Sequence, residues 1–547
     1  MMIAFVRNIL KYWHTIRYLR LEQIIGRIKR QFSFHSINEF PANQQREAKG
    51  FWIFPARRSQ RMVKKDVFLF LNETHQIIDQ EDWNKPNLPK LWLYNLHYFD
   101  DLTAMNSKNR VGWHHYLINR WIQENPINKG NGWESYPISI RVVNWIKWSL
   151  DGNEFNTTQI QSLNTQVRCL SKNLETHLLG NHIFANAKAL MFAGLFFHGD
   201  ESNSWYKKGY KIFHNELYEQ ILPDGGNFEL STMYHSIILE DLLDLFNLHQ
   251  LYKINLPKEI EGIIKKMIKW LEAMCHPDGE ISFFNDAALN NTTSTKELLK
   301  YSKRLGFFEQ DSLPRLIDFK DSGYSRVSLV NAVAIIDRSP VGPDYLPGHA
   351  HADTLSFELS IFSHRFIVNS GTSVYGNGNE RIRQRGTAAH SSVVIDKQNS
   401  SEVWSGFRVA RRARVSKVNT LITNEKVELS ASHDGYKRLT GRPYHFRKWI
   451  FLESLIEIID KISGKGSHSI ELVFPLHPGV KIFETNKNNI VLGVNNKPVT
   501  IEFEGLGGFT IKQSTYHPEF GLSIPNNKLI FEYYGLLPFQ VITRIRW

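Results

Sequence analysis

The segment Pro347-Gly348-His349-Ala350-His351-Ala352-Asp353 sets three titratable side chains at alternate positions. In an extended strand alternate residues share a face, so His349, His351 and Asp353 are expected to project together. The same parity continues through Leu355, Phe357, Leu359 and Ile361, with Ser356, Glu358 and Ser360 opposite. This predicts one strand with a core half and a polar half emerging at the edge of the core. Three titratable groups there do not serve packing. A histidine pair is also a metal-ligand pattern, with His390 a distant third ligand.

Three further constellations carry chemistry. Gly180-Asn181-His182-Ile183 precedes an apolar stretch, so Asn181 either caps a helix or points with His182 into a cleft. Pro223-Asp224-Gly225-Gly226 leads to Ser231 or Thr232 as an N-cap, which puts Tyr234 and His235 in a first helical turn. The helix dipole there favours a phenolate at Tyr234, a help to a tyrosine that acts as a base; burial as ordinary core residues is the alternative. The glycine-rich stretch Asn369-Ser370-Gly371-Thr372-Ser373-Val374-Tyr375-Gly376 lacks the lysine and helix of a phosphate cradle. It is followed by Arg381, Arg383, Arg385 and His390, a cluster suited to carboxylate or sulfate recognition.

The elements that must position these residues fall into two halves. From about residue 90 to 310 the helical period dominates, with expected helices at Trp113–Gln123, Ile138–Ser149, Asn156–His177, Ile183–Phe197, Ser204–Ile221, Thr232–Leu251 and Lys258–His276. Antiparallel helices joined by turns make a bundle, a solenoid or an α/α toroid. After about residue 320 strands are expected at Arg326–Ile336, Leu355–Asn369, Ser391–Ile395, Val427–Ser432, Phe446–Ile459, Ile470–Phe474 and Val541–Trp547, a large sandwich or sheet stack.

A chain of 547 residues needs two or three domains. Its two cysteines, Cys169 and Cys275, make no disulfide framework. The net charge of +12 suits nucleic acid, an anionic membrane surface or a polyanionic substrate. No nucleic-acid-binding motif is present, so nucleic acid is not an expected partner. Within residues 1–30, Ile9, Trp13 and Ile16 recur at helical spacing among Lys11, Arg17, Arg20, Arg27 and Arg30. A basic amphipathic helix of this kind packs on its own protein or lies on an anionic bilayer. It does not read as a secretory signal, so the expected location is the cytoplasm or the inner membrane surface, with the periplasm as the alternative.

Taken together and in order, GNHIFANAKALMFAGLFF, DGGNFELSTMYHSIILEDLL, HPDGEISFFNDAA, PGHAHADTLSFEL, NSGTSVYG and RQRGTAAHSSVVID resemble the heparinase II/III-like family. The resemblance spans roughly residues 90–450. It implies an α+β multidomain chain: a basic helical segment and linker over 1–90, an incomplete α/α toroid over 91–315 and a large antiparallel β-sandwich over 320–547. It further implies β-elimination on a uronate-containing acidic polysaccharide. Carried over by motif, Tyr234 is the catalytic acid or base, Asn181 and His182 bind the substrate carboxylate and assist proton transfer, and His349 is a further catalytic histidine. His235, Tyr375, Arg383 and Arg385 are assigned to substrate binding. A divalent cation, zinc or calcium, is placed on His351, Asn369 and His390, with the neutral Asn369 standing where relatives carry an acid. Two competing readings are a toroid glycoside hydrolase using Asp224 or Glu229 with Asp286, and a non-catalytic glycan-binding or assembly protein.

Overall fold

The computed structural model of the chain describes residues 2–32, 40–308 and 313–547. Two helices, α1 (Met2–Ile16) and α2 (Leu21–Phe32), lead into a stretch that carries a three-stranded sheet, Met62–Lys64, Val67–Phe70 and Glu73–Gln76. That sheet corrects the expectation of a helical segment and plain linker up to residue 90.

The helical half follows as α3 (Lys90–Tyr98), α4 (Val111–Glu124), α5 (Ser135–Leu150), α6 (Thr157–Lys172), α7 (Gly180–Phe196), α8 (Asp200–Gln220), α9 (Thr232–Tyr252), α10 (Ile260–Ala273) and α11 (Thr295–Arg304). Helices α3, α5, α7 and α9 pack side by side, and α6, α8 and α10 pack outside them. Their sequences fit these places. Helix α7, rich in alanine, is buried along almost its whole length, whereas α8 buries a narrow stripe of Trp205, Phe213 and Leu217. Inside the ring, Lys188 donates to Asp241 at 2.7 Å and Asp244 at 2.6 Å, and Lys147 pairs with Asp244 at 2.5 Å. These buried charges are compensated by one another. Helix α6 stops at Lys172, five residues short of the expected end, where Asn173 bonds back to Leu170 O and Cys169 O.

The second half is antiparallel sheet. A five-stranded sheet orders Leu316–Asp318, Tyr324–Ser328, Ala332–Asp337, Phe357–Ile361 and His364–Ile367; an eight-stranded and a four-stranded sheet enclose the main core behind it. Alternation sets the register: His445, Arg447, Trp449 and Phe451 point inward from Tyr444–Leu452 while the residues between them stay half-buried. The run expected as one strand over Arg326–Ile336 is a hairpin, as is Phe446–Ile459. The join expected between 315 and 320 follows residues 309–312, which lie outside the described residues.

The halves are stitched by the segment after α10. Glu358 accepts from His276 at 2.6 Å and from the amides of Phe283 and Asn369; Asn285 donates to Leu230 O; Tyr324 donates to Leu230 O. Glu358, expected on a polar outer face, is therefore a buried fastener between toroid and sandwich.

Candidate active site

The inner helices begin at one end of the ring, and their first turns form the wall of a cleft of about 690 Å³. Asn181 and His182 come from α7, Tyr234 from α9, Tyr136 from α5 and Tyr94 from α3; His349, Tyr375 and Phe407 close it from the sandwich side. The backbone enters α7 through two positive φ angles, Leu179 at 64° and Gly180 at 56°. A Cβ at Gly180 would stand 2.4 Å from Leu346 Cδ2 on a left-handed backbone, so glycine eases the turn that aims Asn181 and His182 inward and any side chain there would have to displace Leu346. At α9 the Ser231 hydroxyl caps the helix by accepting from Tyr234 N at 3.2 Å, the expected N-cap.

Tyr234 and His349 meet across the cleft with ring centroids 3.8 Å apart and planes 28° apart. The Tyr234 hydroxyl lies 3.1 Å from that of Tyr375. Burial first, then the Tyr375 hydroxyl and the Asp286 charge, holds the Tyr234 phenol well above its ordinary value. The dipole-stabilised phenolate expected from the sequence is thus overridden, and the resting group is a neutral acid. His349 Nδ1 bonds Asp286 Oδ2 at 2.9 Å, and His349 Nε2 lies 3.8 Å from Glu229 Oε2.

His182 works differently. Burial disfavours its cation, but the Glu175 carboxylate, 3.1 Å from Nδ1, outweighs this and raises the imidazole pKa above 6.5. Its ring rests on Tyr136 at 4.6 Å, and Tyr136 and Asn181 line the cleft together. Asn181 and His182 therefore present an amide and a cation side by side, the pair an incoming carboxylate requires.

Asp286 is the hub that sequence reading weighed only as a hydrolase acid. It accepts both guanidinium arms of Arg381, one at 2.7 Å, and bonds His349 and His351, the latter 2.9 Å from Oδ1. Arg381 and the two histidines draw its carboxyl pKa well below the ordinary range against the opposing pull of burial. His351 thus donates its Nε2–H to Asp286 and keeps a bare Nδ1. That Nδ1 stands 3.3 Å from His390 Nε2, the separation of two nitrogens on one tetrahedral zinc at about 2.0–2.1 Å. Among the described residues, His351, Asp353 and His390 bring one ligand atom each within 4.8 Å of one another. The buried donor set fits a divalent cation.

Several sequence assignments change. His349, His351 and Asp353 do converge, but on a loop, because the strand starts at Phe357 and Leu355 adopts φ 63°. Asn369 Oδ1 faces Ser391 N at 3.4 Å, and Asp353 joins His351 and His390 in the group of titratable donors. His235 is not in the cleft. It is fully buried, bonds Met267 O at 2.9 Å and packs on Trp270, and burial pushes its pKa down to about 3. Arg385 is spent on the carbonyls of Ala350, Ser405 and Gly406, and Arg383 pairs outside the cleft with Glu380 and His517. Tyr375 is where expected. Tyr136, Glu175 and Phe407 were missed, since each is an ordinary residue in sequence; Arg381 had been noted only as one of a cluster.

A helical ring whose open end meets an antiparallel sandwich over a tyrosine–histidine–asparagine cleft defines a class of two-part folds. The chain belongs to the heparinase II/III-like family: the Heparinase II/III N-terminus matches residues 100–313, and the Heparinase II/III-like C-terminal domain matches residues 311–547. A heparin-sulfate lyase of Bacteroides stercoris is 26% identical over 55% of this chain and 46% of its own length. A heparin-sulfate lyase of Pedobacter heparinus is 24% identical over 58% of this chain and 50% of its own. The chain thus spans about half the length of the curated relatives it matches. A crystal structure of heparinase III shares the fold at a TM-score of 0.67 and 17% identity, covering 87% of this chain and 79% of that one.

Proposed function

We propose that the chain is a lyase that cuts a uronate-containing acidic polysaccharide by β-elimination. The observation that carries this reading is the stacking of Tyr234 on His349 across the cleft, with Asn181 and His182 beside them. The uronate carboxylate sits between the Asn181 amide and the His182 cation, which offset the charge that builds as the neighbouring C–H proton leaves. His349, steadied at Nδ1 by Asp286, takes that proton on Nε2. The neutral Tyr234 phenol protonates the departing glycosidic oxygen. A double bond forms in the sugar next to the carboxylate as the C–O bond breaks, and no water is consumed.

The hydrolase alternative lacks a pair of free acids: Glu229 is buried, and that burial raises its carboxyl pKa, but neither aspartate is free to work with it. Asp224 is tied to Gly226, Asp321 and Ser322, and Asp286 is saturated by Arg381 and two histidines. Incubation with heparan sulfate, alginate and unsulfated glucuronans, read by the ultraviolet absorbance of a conjugated double bond, tests the proposal. Absorbing products are expected from at least one; reducing ends without absorbance would sink it.

A divalent cation, zinc by its ligand set, is assigned to His351, Asp353 and His390, where it would lock the loop that carries His349. No proton or carboxylate of the substrate is routed through it.

The amino-terminal helices favour contact with an anionic membrane surface. Their amphipathicity is turned inside out: Ile9, Tyr12, Trp13 and Ile16 on α1 and Leu21, Ile25 and Ile28 on α2 are exposed, while Gln23 and Gly26 face the protein. Residues 1–32 hold seven Lys or Arg against one Glu. Among the described residues no helix is long and apolar enough to cross a membrane. Flotation with vesicles containing anionic lipid should carry the chain, and Trp13→Ser with Ile28→Ser should abolish this; equal flotation on neutral vesicles would refute an anionic surface.

A further inference from the structure

Beside the active cleft lies a second cavity, of about 910 Å³. Helix α2 roofs it with Lys29 and Arg30; the loop between α6 and α7, through His177, and Lys208 of α8 form its sides. The roof sits this low because residue 26 is glycine: a Cβ there would stand 2.8 Å from His177 N. Arg30 donates to His177 Nε2 at 2.8 Å. Burial, and then the Arg30 charge, lowers the His177 pKa, so the imidazole serves as a neutral acceptor that holds the guanidinium at the cavity wall.

Cations outnumber carboxylates in the lining, and one of them, Lys208, also donates to Ser171 O. Lys29, Arg30, Lys172 and Lys208 line the cavity. Its two carboxylates are already committed: Glu134 pairs with Lys90 at 2.9 Å and accepts from Tyr94 at 2.5 Å, and Glu175 holds His182 and Asn186. Those same pairs make up the wall shared with the active cleft, because Tyr94 and His182 line the cleft while Glu134 and Glu175 line the cavity. The cationic space therefore begins one side chain beyond the residue assigned to the uronate carboxylate. Its roof precedes residue 100, where the family match starts.

We infer that this cavity binds a further acidic unit of the polysaccharide, through a carboxylate or sulfate held by Lys29, Arg30 and Lys208. It rests on the proposed lyase reading for the polymer's identity, but its test does not require turnover. Calorimetric titration of the full chain with heparan sulfate and alginate oligosaccharides of graded length measures the site directly. In the Lys29→Ala/Arg30→Ala variant the longer oligosaccharides should bind roughly ten-fold more weakly, the worth of one or two charge-assisted contacts, while the shortest that fill the active cleft bind as before. Lys208→Ala, on a separate helix, should give the same length-selective loss and stands in if the double variant does not fold. Unchanged affinity at every length in both variants overturns the inference, as does an equal loss at every length. Inorganic sulfate should compete with the long oligosaccharides more than with the short; at matched ionic strength, equal competition also overturns it. If no polymer yields absorbing products, the lyase reading fails while these titrations still decide whether the cavity takes acidic sugars.

Discussion

In the proposed elimination Tyr234 is the residue on which the chemistry turns, and its environment sets its protonation before any substrate arrives. Buried against Tyr375 and near an anion, it holds its proton. Tyr234→Phe should lower turnover about a hundred- to ten-thousand-fold with oligosaccharide binding kept, measured by double-bond absorbance and by titration. Glu175 sets the other charge. Because it raises the His182 pKa, the cation persists to higher pH than a free imidazole would allow and is lost as pH rises through that value. Glu175→Gln should therefore move the alkaline limb of the kcat/KM profile to lower pH; an unmoved limb would mean that His182 does not titrate in the working enzyme. At this scale the sequence was readable where unusual residues cluster, as in His349, His351 and Asp353. It misled where one residue type serves two purposes: His235 neighbours Tyr234 in the chain but turns 100° away into the core on a helix.

At the scale of elements, the first turns of α5, α7 and α9 act as arms that deliver side chains to one place. Gly180 tests this. Gly180→Ala puts a Cβ on a left-handed backbone and against Leu346, a cost of about 1 kcal/mol from the backbone alone. It should lower kcat/KM by displacing Asn181 and His182 while the far-ultraviolet circular dichroism stays unchanged. The helices were legible because their apolar period is strong and their ends carry caps such as Ser231 and Asn156. The strand expected at His349 was not there, because alternation is a property of spacing and survives in a loop. What decides is a backbone detail, the φ of 63° at Leu355, that no period reports. Likewise, nothing local to the sequence marks Asp286 as the partner of residues more than sixty positions away.

Over the whole molecule, the sandwich and toroid share one polar seam. The His351, Asp353 and His390 group proposed to hold a cation lies on that seam, with His351 bonded to Asp286 of the preceding segment. Chelation should lower Tm by several degrees, and His390→Ala should produce the same fall and remove the chelator's further effect, both followed by calorimetry. Absence of bound metal by elemental analysis, with Tm indifferent to chelator, would refute the assignment. The grip on Asp286 has a mechanical consequence. One carboxylate from the helical side is clasped by three sandwich groups, and parting them would strand a charge in a dry interior. On the proposed lyase reading the two halves are riveted beside the reacting bond, so the cleft would keep its width there while a sugar chain enters and its cut ends leave.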